Sequence, residues 1–166
     1  MKKKLISEVI NVNEINSVKN LLEESMQLKS NLILKLLKLL KQTNDHSDRK
    51  DIALFIVDNF RDKRILPALI ALIKKPELQM HNADLVYACS EYPDTKSHLR
   101  FFVDLVITGD FHVSWNAYQT IINMRGDFEK RKCNEMIKKL SNAISKNDEE
   151  KNDIIKALIA RFEKFK

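Results

Sequence analysis

Glycine occurs twice and proline three times in 166 residues. That scarcity starves tight hairpin turns of their usual residues. Gly109 and Gly126 cannot build a dinucleotide or P-loop fingerprint, whose glycines let the backbone approach phosphate closely. No His-Glu-x-x-His, Cys-x-x-Cys or Gly-x-Ser-x-Gly occurs, and His46, His81, His98 and His112 show no ligand spacing. The residues therefore predict no catalytic site, no metal site and no cofactor. Cysteine is nearly absent as well. Cys89 and Cys133 fall on apolar helix faces and read as buried free thiols, as a reducing compartment allows. No apolar run approaches the ~20 residues of a membrane span. Met1-Lys2-Lys3-Lys4 resembles an export signal's basic start, but only Leu5-Ile6 precede Ser7-Glu8. The expectation is a cytoplasmic protein with no membrane contact.

What is abundant is helix periodicity. Apolar residues recur at three and four, as in Leu32, Ile33, Leu36, Leu37, Leu40 and again in Leu66, Leu69, Ile70, Ile73. Breaks at 43–47, 75–76, 93–94, 109–110, 126–127 and 146–148 predict nine helices: 13–26, 28–42, 48–60, 63–75, 80–91, 96–108, 111–124, 127–145 and 148–165. Ser47 or Asp48, Thr95, Asp110, Asp127 and Asn147 are candidate N-caps. One domain spanning residues 1–166 is expected, with the order of residues 1–12 left open.

A repeat lies beneath the periodicity. A shift of 33 carries Ile33, Leu36, Leu37, Leu40 onto Leu66, Leu69, Ile70, Ile73 and then onto Leu99, Phe102, Val103, Val106. A shift of 32 carries Ala53, Val57, Phe60 onto Leu85, Cys89, Tyr92 and then onto Ala117, Ile121, Met124. The stretch from Leu105 to Ala117, with Gly109-Asp110 at its turn and Val113 and Ala117 opening the next helix, resembles the HEAT-repeat family. Pro67 in Ile65-Leu66-Pro67-Ala68-Leu69 is similar to the proline early in that family's first helix, whereas Ser114 stands where the family commonly has arginine. The likeness covers residues 28–165. It implies an all-α fold: a short right-handed solenoid of antiparallel helical hairpins without a sheet. The stretches Leu85–Cys89 and Phe101–Val106 also resemble small bacterial HEAT-like proteins of toxin–immunity loci.

The net charge of +6 is uneven. Residues 1–50 carry ten Lys and Arg against six Asp and Glu, while residues 51–100 balance at seven against seven. Lys35, Lys38 and Lys41 line the face opposite Leu32, Leu36 and Leu40, and Lys130-Arg131-Lys132 and Lys138-Lys139 add to the basic surface. No aromatic ring interleaves with these lysines to stack on bases. In HEAT-like stacks the second helix of each hairpin lines the concave side. Helical spacing puts Asp51, Phe55 and Asp58 on one such face, Asp84, Tyr87 and Glu91 on the next, and Trp115 and Gln119 on a third. Phe55 and Trp115 either line that groove or pack against adjacent repeats. An acidic, aromatic groove predicts a monomeric, non-catalytic module that binds a basic protein, in its sharpest form an immunity protein masking a nuclease-like toxin. The alternative is a nucleic-acid-binding repeat that uses the basic faces. Phe162 and Phe165 either cap one end or join two copies.

Overall fold

A computed structural model of the chain describes residues 12–144 and 149–165. Among these residues all regular structure is helical. The α-helices are α1 (Val12–Gln42), α2 (His46–Asn59), α3 (Ile65–Ile73), α4 (Ala83–Cys89), α5 (Leu99–Thr108), α6 (Phe111–Asn123), α7 (Lys130–Ser141) and α8 (Glu149–Glu163). Two 3₁₀ segments, Pro76–His81 and Pro93–His98, precede α4 and α5. No helix among the described residues is long and apolar enough to cross a membrane. Residues 1–11 and the candidate cap Asn147 lie outside the described residues.

The expected nine helices are eight because nothing breaks the chain near residue 27. Gln27 lies inside α1, where its side-chain amide donates to Asn31 Oδ1 at 3.0 Å, an ordinary one-turn contact along a continuous helix. The prolines shorten α4 and α5 at their starts. Pro76 and Pro93 each open a 3₁₀ turn, a position where a missing N–H costs nothing. Residues 80–82 and 96–98 are thereby withheld from the expected helices 80–91 and 96–108. Caps moved too. Asp110 accepts from Val113 N at 2.9 Å as expected, but Asp45 caps α2 through Asp48 N at 2.9 Å in place of Ser47 or Asp48. Thr95 is buried within its 3₁₀ turn, and α7 starts after Glu129 instead of Asp127.

The core follows the repeat. Every position matched by the shift of 33 is buried except Leu36, which is half-buried, and every position matched by the shift of 32 is buried. A single apolar cluster runs from Ile33 to Phe162. It holds Cys89 and Cys133, whose thiols burial pushes above the ordinary range. Sequence neighbours pack as pairs: α1 on α2, α3 on α4, α5 on α6, α7 on α8. The even-numbered helices also lie against one another in order, α2 on α4, α4 on α6, α6 on α8. Hydrogen bonds tie matching places together. Tyr92 Oη donates to the Phe60 carbonyl at 3.1 Å across 32 residues, and Asn116 Nδ2 donates to the Ala83 carbonyl at 2.9 Å across 33. At the far end Phe128 meets Phe162 and Phe165 edge-on at 5.6 and 5.4 Å. Phe162 of α8 and Phe165 in the turn after it thus close the core.

Two local solutions depart from the expectation. Leu32 is exposed, because the buried stripe of α1 is Ile33, Leu37 and Leu40. Ser114 is fully buried, and its hydroxyl donates to the Val106 carbonyl at 3.0 Å, reaching the unpaired carbonyls at the end of α5. An arginine there would have to be buried against those carbonyls.

Candidate functional site

Large apolar side chains are exposed on only four helices among the described residues. Seven belong to α1: Leu21, Leu22, Met26, Leu28, Leu32, Leu34 and Leu39. The other four are rings on the even-numbered helices. Phe55 of α2 and Tyr87 of α4 are each 49% exposed, and Phe111 and Trp115 of α6 each 44%. Phe55 and Trp115 are thus partly exposed, and each ring has a neighbour: Phe55 meets Phe60 edge-on at 6.2 Å, and Trp115 lies 5.6 Å from Tyr118.

The carboxylates are placed unequally. Asp51 and Asp58 are exposed on α2. Asp51 shares a hollow with Leu39, Gln42, Thr43 and Asp48 at the α1 side. Asp84 is half-buried at the start of α4 and pairs with Lys50 of α2 at 3.6 Å. Glu91 lies in the turn after α4, not on the helix, and pairs with Arg61 at 3.9 Å. Lys50 and Arg61 therefore share this face and offset part of its negative charge. Both pairs are exposed and weakly held, so an incoming cation can exchange with them. Gln119 is half-buried and contributes little surface.

Trp115 has a set of neighbours that helical spacing on α6 alone half reveals. Phe111, Trp115 and Tyr118 form one stripe of α6, and Glu150, Asp153, Ile154 and Ala157 form the facing stripe of α8. Between them lies a hollow of about 290 Å³. Asp153 is paired with Lys156 at 3.0 Å. The steps 111–115–118 and 150–153–157 were readable as stripes. That they face each other was not, because it depends on how α8 docks. Arg161 helps to set that docking by donating to the Ile122 carbonyl at 3.0 Å, and Lys151 by donating to the Gly109 carbonyl at 2.7 Å.

A larger hollow, about 720 Å³, lies where Arg61, Asp62, Leu66, Pro67, Tyr92 and His98 meet. Its strongest polar groups are committed elsewhere. Arg64 grips Asp62 with two bonds of 2.8 and 2.7 Å, holding that carboxyl down at about 2. Tyr92 is bonded to Phe60, and burial raises its phenol to about 12. Among the described residues no group of three or more His, Cys, Asp or Glu could hold a metal ion.

No family model, curated protein or solved structure matches the chain.

Proposed function

We propose that the chain is a non-catalytic binding module, a short HEAT-like solenoid of antiparallel hairpins whose α2–α4–α6 face holds a basic protein. The observation that carries this reading is the set of half-exposed rings Phe55, Tyr87 and Trp115 on the three alternate helices α2, α4 and α6, with carboxylates beside them. Rings of this kind bury large area at low entropy cost and are favoured at the centres of interfaces. Support for the stacked architecture comes from the pairing of neighbours and from the bonds that link places 32 and 33 residues apart. The even-numbered helices lie on one another throughout, whereas the odd-numbered ones meet less extensively, α1 with α3 and α5 with α7 but not comparably α3 with α5. Closer approach on one side is what a concave surface requires. Asp51 and Asp58 have no basic side chain within ion-pair reach among the described residues, which leaves them available to a cationic partner. Charge steering would then speed capture. In its sharpest form the partner is a nuclease-like toxin, whose phosphate-binding cleft is positive, and the chain is its immunity protein in the bacterial cytoplasm.

The test is capture from the native proteome on the wild type and on a Phe55→Ala, Tyr87→Ala, Trp115→Ala triple variant, with nuclease added and helical content checked by circular dichroism. Retention of a basic protein by the wild type, and its loss from the equally helical variant, is the expected result. Equal capture by both, or capture that vanishes with nuclease treatment, removes the proposal.

A further inference from the structure

The hollow between α6 and α8 is walled by rings and bordered by carboxylates, a pairing that can receive one planar cation. We infer that it is a subsite for an arginine side chain of the protein partner; the inference rests on the partner reading above and gives it a chemical anchor. Three rings line it, Phe111, Trp115 and Tyr118, with Ile154 and Ala157, so its surface is almost wholly apolar, and Glu150 and Asp153 border it. The Trp115 and Tyr118 rings lie 5.6 Å apart at 32°, and Trp115 keeps 44% of its surface exposed. A cation over a ring face is drawn by the ring's quadrupole, and tryptophan is the strongest such platform.

Size and charge narrow the occupant. At about 290 Å³ the hollow sits at the bottom of the ~300–1,000 Å³ typical of small-molecule sites, which suits one side chain better than a free metabolite. Ala157 creates the space, since a longer side chain on that turn of α8 would fill it. Asp153 is shared with Lys156, while Glu150 has no cation within 4 Å among the described residues. Guanidinium fits this set better than ammonium. It is planar, stacks on rings, is weakly hydrated, and directs paired N–H groups at a carboxylate.

The test uses the only tryptophan of the chain as its own reporter. The full chain is titrated with acetyl-Gly-Arg-Gly-amide, and the Trp115 indole N–H signal is followed by NMR. Parallel titrations use the lysine tripeptide and the neutral citrulline isostere. A saturable indole shift with the arginine peptide, a weaker one with lysine and none with citrulline is expected. Ala157→Leu, which replaces an exposed residue with a good helix former, should abolish the shift. Glu150→Gln should weaken binding by about two- to fivefold, the range an exposed ion pair spans. An indole that does not move with arginine, moves equally with citrulline, or still moves in Ala157→Leu overturns the subsite. The two proposals fail separately. Loss of the arginine titration with ring-dependent protein capture intact removes the pocket alone. A positive titration beside capture that ignores the rings removes the protein partner and leaves a guanidinium site.

Discussion

Replacing Gly109 by alanine tests the corner on which the α6–α8 hollow depends. The backbone there is extended, φ −69° and ψ 165°, which any residue adopts. Only close approach makes glycine necessary. A Cβ would stand 2.4 Å from Val113 Cγ1, 2.7 Å from Val113 Cβ and 2.8 Å from the Leu105 carbonyl oxygen. The first contact could be eased by a rotamer change, but the last is backbone and cannot. Overpacking of this kind costs about 1–3 kcal/mol. Alanine recovers about 0.4–1 kcal/mol by stiffening the unfolded chain. The net centres on about 1.3 kcal/mol, which for a domain of this size lowers Tm by about 3–5 °C. Displacing the corner also moves the Gly109 carbonyl away from Lys151 Nζ and Ser114 Oγ, so α8 loses one of its anchors. The control is Gly126, whose φ of +75° is left-handed but whose missing Cβ meets only the end of Lys96 at 3.5 Å. Thermal unfolding of Ala and Asn variants at both sites separates the two reasons for glycine. Asparagine tolerates the left-handed region and should be milder than alanine at 126, yet no milder at 109. An alanine variant at 109 as stable as wild type, or an asparagine variant there milder than alanine, would refute the close-approach argument.

Three further outcomes follow from contacts elsewhere. Ser114→Ala should cost about 1–3 kcal/mol in urea unfolding, because it strands carbonyls at the buried end of α5, and Ser114→Arg should cost more. Asp62→Asn keeps the acceptor for Arg64 N but loses the charge pair, and should lower stability at neutral pH. Since the folded carboxyl titrates at about 2, below its ordinary 3.8, that stabilisation is complete above pH 4 or so. The gap between wild type and variant should therefore close as pH falls from there through about 2, as measured by acid titration of stability. Hydrogen exchange should divide α1: amides of residues 19–29, where every side chain is exposed, exchange far faster than those around Ile33, Leu37 and Leu40.

The repeat was legible because its spacing is a property of the chain. Burying one stripe of an amphipathic helix requires apolar residues at three and four, and stacking like units requires the stripe to recur at one period. The buried sets that include Leu69, Phe102, Cys89 and Ile121 therefore stood in the sequence at intervals of 32 and 33. The outward stripes Asp51–Phe55–Asp58 and Asp84–Tyr87 were legible by the same rule, being what remains opposite the core. Helix ends were harder. Pro76 and Pro93 permit either an α-helical or a 3₁₀ first turn, and the local sequence does not choose between them.

Tertiary structure alone decided which outward residues meet. Lys50 reaches Asp84, and Arg61 reaches Glu91, because α2 and the α4 region lie side by side, so part of the predicted acidity is already paired. Glu150 and Asp153 join Phe111, Trp115 and Tyr118 only through the angle at which α8 closes on α6. A helix's own residues determine its faces, since the backbone repeats every 3.6 residues whatever surrounds it. Which face meets which is settled by packing between helices far apart in the chain, and no local spacing encodes it.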